Sequence, residues 1–130
     1  MNMADPSEAL QIALYERLTA ELTVPVYDAV PMDTPYPYVT IDSEISSDQS
    51  PISGKKRDLR LIYLSVWSNY QGKLEVKRIN AQIVAALHLR DLPLEEGRAV
   101  EVRVTRAQAN REPDGRTYQG SVTVSIITTN

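Results

Sequence analysis

KRDLRLIYLSVWS, residues 56–68, is the stretch that decides the fold. Leu59, Leu61, Tyr63, Ser65 and Trp67 share one side of an extended chain, and Ile62, Leu64 and Val66 share the other. Period-two alternation with large residues on both sides predicts a central strand covered on two faces. Trp67 then reads as a core anchor whose indole N–H needs a partner.

Upstream, Tyr38 to Glu44 alternates as well, with Val39 and Ile41 on one side and Tyr38, Thr40 and Asp42 on the other. The intervening Ser43 to Lys56 is rich in Ser, Asp, Pro and Gly, which predicts a long polar loop or an extended hairpin. Val24 to Tyr27 allows one short extended piece, held to a sheet edge by Pro25. Pro31, Pro35 and Pro37 stiffen the crossover that follows.

Two helices flank this unit. Leu10, Leu14, Leu18 and Leu22 recur every four residues and predict a helix over Ser7–Leu22, with Ser7 as its cap and residues 1–6 as a flexible lead. Val76, Ile79, Ile83 and Leu87 mark the inward stripe of a second helix, about Lys73–Leu89. Val100, Val102 and Val104 form a further strand. Glu112-Pro113-Asp114-Gly115 turns the chain, and Tyr118 to Ile126 returns as the last strand of a hairpin. The expected fold is one α+β domain over residues 1–130, with a mostly antiparallel sheet and two helices on one face.

Composition excludes much chemistry. The 130 residues include no cysteine and one histidine, and the formal net charge is −3. Disulfide scaffolds, thiol nucleophiles and thiolate metal sites are thereby removed. His88 alone cannot build a multi-histidine metal centre, and no Gly-x-Ser-x-Gly elbow accompanies it for serine chemistry. Gly54-Lys55 and Gly72-Lys73 lack the earlier glycine and the following Ser or Thr of a phosphate loop. Asp5 and Glu8 stand where a signal peptide would be cationic, and no apolar run spans a bilayer, so the expectation is a soluble chain. No catalytic residue, cofactor or metal is expected, and the reading is not an enzyme. The densest basic cluster, Lys55, Lys56, Arg57 and Arg60, leaves a nucleic-acid-binding adaptor as an alternative, one that would bind without sequence preference.

Several stretches occur in a familiar order: ALQIALYERLTA (9–20), VYDAVP (26–31), PYVTI (37–41), LSVWSNYQGKLEVKRINAQIVAALH (64–88) and REPDGRTYQGSVTVSI (111–126). Together they resemble the tail completion, or tail terminator, proteins of long-tailed bacteriophages, prophages and gene transfer agents. Asp42, where that family often carries glycine, and the polar Ser43–Lys56 depart from its pattern. The resemblance implies a structural virion protein that forms a ring, commonly a hexamer, on the head-proximal end of the tail tube. Such a ring stops tube growth, docks the head and lets DNA pass as cargo. Its partners would be further copies of itself, the tail tube protein and a head-completion or connector protein, with no membrane. Assembly would occur in the bacterial host cytoplasm. A head–tail connector or stopper subunit is the alternative within virion assembly.

Contact candidates follow from composition. Tyr36 and Tyr38 offer amphipathic area on a proline-stiffened segment, either for a neighbouring molecule or for their own sheet. Ser50, Pro51, Ile52, Lys55, Lys56 and Arg57 belong to the polar loop, where long loops are functional or disordered. Asp114 tips the last hairpin.

Overall fold

The computed structural model describes residues 5–52 and 54–130. The order is α1 (Ser7–Glu21), β1 (Val26–Tyr27), β2 (Tyr38–Asp48), β3 (Arg57–Ser68), α2 (Leu74–Leu87), β4 (Arg98–Arg111) and β5 (Tyr118–Thr129). The five strands form one sheet in the order β1-β2-β3-β5-β4. β1 runs parallel to β2, and every other pair is antiparallel. The expected α+β domain, mostly antiparallel with two helices, is the fold observed.

Both helices pack on one face. Leu10, Leu14 and Leu18 of α1 and Val76, Ile79 and Ile83 of α2 meet Val39, Ile41, Ile62, Leu64, Val66, Val122, Val124 and Ile126 from the sheet. Registered pairs such as Ile62 with Val124 and Leu64 with Val122 align these inward residues in cross-strand rows. β3 is central, as its sequence predicts, but it is not covered twice. Leu59, Leu61, Tyr63 and Trp67 are only half-buried, on the face that carries no helix. They shelter one another instead: Tyr38 lies beside Trp67, and Ile45 beside Leu61. Trp67 is therefore no core anchor, and its indole has solvent within reach.

Three boundaries differ from the sequence reading for local reasons. β2 runs four residues past Glu44 because Ser46, Ser47 and Asp48 pair with Arg60, Leu59 and Asp58. A bulge at Asp42 resets the register there. Ser43 to Asp48 thus belong to β2, and the eight residues 49–56 connect it to β3 as a hairpin. Ser7 does not cap α1. Pro6 occupies the cap position, the Ser7 N–H donates to Asp5 Oδ1 at 3.1 Å, and the Ser7 hydroxyl donates to Glu44. Of the lead expected to be flexible, residues 1–4 lie outside the described residues, whereas Asp5 and the buried Pro6 are held in place. β4 is also longer than its valines suggest. It continues to Arg111 through bulges between Ala99 and Glu101 and between Val104 and Arg106.

His88, next after α2, has a structural task. Its Nδ1 accepts the Val104 N–H at 3.0 Å and ties the end of the helix to β4.

Candidate interaction surfaces

The tyrosine segment lies at one end of the helix-free face. The Tyr36–Pro37 peptide is cis. Tyr36 stacks on Tyr38 with ring centroids 5.5 Å apart, and Tyr27 meets Tyr38 edge-on at 5.9 Å. Burial of the Tyr38 ring, with Tyr36 beside it, pushes its phenol upward. The outer ring still leaves 38% of Tyr36 open to solvent. Tyr38 thus packs against its own sheet and Tyr36 stacks on it with an exposed outer face, while Pro31 and Pro35 are exposed.

The turn between β2 and β3 is organised by Asp48. Its Oδ1 accepts the Ser50 hydroxyl at 2.6 Å, the Ser50 N–H at 3.1 Å and the Lys56 ammonium at 3.1 Å. Those donors, the Ser50 hydroxyl first, hold the carboxyl down to about 2. The Ser50 hydroxyl oxygen also accepts the Arg57 N–H. Ser50, Lys56 and Arg57 are thus parts of a self-contained turn, while Pro51, Ile52 and Lys55 remain exposed at its tip. A carboxyl depressed by folding stabilises this turn fully above its ordinary value and loses the effect as pH falls through the folded one. The Ser50 amide should accordingly keep its shift and exchange protection from neutral pH to about 4 and lose both towards pH 2. An NMR titration with an Asp48 midpoint at the ordinary carboxylate value would show that the network does not form.

At the other hairpin Asp114 accepts the N–H groups of Arg116 and Thr117, each at 2.8 Å, and the Thr117 hydroxyl at 2.7 Å. These bonds hold its carboxyl below the usual range, the Arg116 N–H foremost. Gly115 completes the turn at φ +73°. Asp114 is a turn-builder, and its bonds are satisfied within its own hairpin.

The basic cluster read from the sequence is taken apart by the fold. Arg60 is 1% exposed and points to the helix side of β3. Its five N–H groups find five acceptors. Nε donates to Thr128 Oγ1 (2.9 Å), Nη1 to Glu44 Oε2 (2.8 Å) and Ser46 Oγ (3.0 Å), and Nη2 to Asp5 Oδ1 (2.5 Å) and Asp58 Oδ2 (3.2 Å). Lys56 bridges Asp48 and Asp58 at 3.1 and 3.0 Å. Two of the cluster's four cations are thereby paired with carboxylates, while Lys55 and Arg57 have no carboxylate partner among the described residues. In return, Arg60 joins the start of α1 to the β2–β3 hairpin and the end of β5.

The helix side also has a shallow groove of about 350 Å³ between α1 and the segment after α2, lined by Ile12, Ala13, Leu92 and Pro93. Glu16, Arg17 and Glu95 line it as well.

The described residues form a small domain with two exposed hairpin turns and an open sheet face, surfaces suited to contact. The model of the family "Tail completion protein gp17" matches residues 10–129. The chain belongs to that family. It is a structural protein of a phage-type tail. A chain from the solved virion of a native gene transfer agent particle matches this tail completion protein at 26% identity. The match covers 99% of this chain and 100% of that one, with a TM-score of 0.86. No curated relative matches the chain significantly.

Proposed function

We propose that the chain forms a ring on the head-proximal end of a tail tube, ends tube polymerisation there and presents the surface on which the DNA-filled head docks. The observation that carries this reading is the whole-length likeness to a chain of a gene transfer agent virion, within the tail completion family. A closed ring needs two unlike surfaces that meet head to tail. This sheet offers two unlike edges, β4 on one side and β1–β2 on the other. The role is one of assembly and not of catalysis, and DNA is cargo.

The test is the mass of the purified protein by light scattering, alone and with polymerising tail tube protein. A discrete ring, free or at tube ends, with shorter tubes is the expected result. A monomer that neither caps nor shortens tubes overturns it. Binding to isolated heads but not to tubes would point to the connector or stopper reading instead. The exposed stack is tested in the same assay: Tyr36→Ala should weaken capping beyond any loss of monomer stability, and a change in melting temperature alone would confine Tyr36 to packing.

A further inference from the structure

Charge is divided across the width of the sheet. Residues 26–48, which make β1, the crossover and β2, contain five carboxylates and no Lys or Arg. That one edge holds more negative charge than the whole chain's excess of −3. Asp28 and Asp33 are exposed and form no ion pair among the described residues. Asp42, at the bulge, accepts the hydroxyls of Thr40 and Ser65, with no cation beside it among the described residues.

At the far edge, the register puts Arg98, Arg103 and Arg106 of β4 in a row on the helix-free face, opposite Thr129, Ser125 and Thr123. Arg103 pairs with Glu101 at 3.1 Å. Arg98 and Arg106 are exposed and have no carboxylate partner among the described residues. The outer side of β4 is unpaired, and β1 covers β2 only at Val39 and Thr40.

We infer that these two edges are the complementary halves of one contact between copies of this chain: the β4 arginines of one copy meet the Asp28, Asp33 and Asp42 edge of the next. This rests on the ring reading above and names the surface that would close it. Strand direction agrees. Three antiparallel steps separate β2 from β4, so the two edges run in opposite directions. A second copy brought alongside in the same orientation sets its β2 antiparallel to the first copy's β4. The signs select this arrangement. Pairing β4 with β4 sets arginine against arginine, and pairing β2 with β2 sets carboxylate against carboxylate, both of which are unfavourable. Two-fold dimers are thus disfavoured, and head-to-tail contacts, the kind that close rings, remain. The two β4 bulges guard the edge against indiscriminate strand addition.

Charge exchange tests the contact. In R98E/R106E, whose parent arginines make no ion pair among the described residues, the protein concentration that caps half of the tail tubes should rise by about tenfold or more. D28R/D42R should do the same. Mixed one to one, the two variants should recover capping, because acidic β4 edges then face basic β2 edges around an alternating ring. Raising salt should weaken the wild type in parallel. Should D28R/D42R fold poorly by thermal melting, R98E/R106E against D28N at matched stability decides the matter. A wild type that caps tubes while R98E/R106E caps them equally well overturns this contact and leaves the ring standing. A wild type that never oligomerises removes both.

Discussion

Arg60→Ala is expected to cost about 3 kcal/mol of stability, which for a domain of this size lowers the melting temperature by roughly 10 °C. The reason lies in what is left behind. Arg60 is fully used, and Asp58, with a side chain 9% exposed, depends on it together with Lys56. Removing the guanidinium leaves the 22%-exposed Glu44 with no cation among the described residues, and Asp58 with Lys56 alone. It also orphans the Thr128 hydroxyl, which is itself buried. Asp5, at 68% exposure, can hydrate and contributes little to the loss. Arg60→Met fills the space and should recover part of the stability lost to alanine, because packing along the stem survives. Arg60→Met with Glu44→Gln should recover more, since the carboxylate that has lost its cation is gone. Chemical denaturation of the four proteins checks this. A loss below 1 kcal/mol for Arg60→Ala would mean that the cluster is solvated and not structural. The same variant should release the start of α1, read as faster exchange of the Ser7 and Glu8 amides.

Arg60 also marks the limit of what the sequence discloses. In KRDLRLIYLSVWS the residues on either side of it, Leu59 and Leu61, are apolar, so simple alternation turns the arginine outward. The fold does the opposite: Asp58, Arg60, Ile62, Leu64, Val66 and Ser68 face the helices, and the leucines face the open side. The available signal was continuity of parity, because Ile62, Leu64 and Val66 must share a face with Arg60. Its opposite-charge partners Asp5 and Glu44 lie far away in sequence, and only pairing brings them near. The extension of β2 was hidden for a related reason. Ser46, Ser47 and Asp48 have poor strand preference and are held by β3, so tertiary pairing overrides local preference. By contrast, the stripes of α1 and α2, the two hairpin turns and the strands around Val39, Leu64, Val102 and Val124 were legible, because burial on one face writes a period into the sequence. The candidate surface divides in the same way. Tyr36 and Tyr38 were visible as composition, whereas Asp48 and Asp114 proved to be turn-builders whose bonds are local and already satisfied. The arginine row of β4 could not be seen at all, since two bulges shift the parity that places Arg98, Arg103 and Arg106 together.

Gly120 sets how closely α2 lies on the sheet, and filling it should be nearly as damaging as losing Arg60. It sits in β5 opposite Val66 and Ala109, in extended backbone where any residue is conformationally allowed. Space, not backbone strain, is therefore the constraint. A Cβ there would come within 2.5 Å of Asn80 Oδ1, 2.8 Å of Val76 Cγ1 and 3.1 Å of Val66 Cβ. Neither valine can retreat, because both are completely buried. Asn80 is fixed as well, its amide donating to the Gln108 carbonyl at 3.1 Å and tying α2 to β4. Gly120→Ala must lift the helix or break that bond, at a cost of about 2 kcal/mol, and Gly120→Val should cost about 3 kcal/mol. Asn80→Ala removes the nearest obstacle, so the double variant G120A/N80A should be less damaged than the sum of its single changes by about 1 kcal/mol. Strict additivity in a denaturation cycle would mean that α2 is not pinned at this point. Since α2 also carries the His88 tie to β4, a lifted helix should loosen the Val104 amide first and leave the β2–β3 hairpin unaffected. Exchange at Val104, compared with exchange at Ser50, separates that local release from general destabilisation.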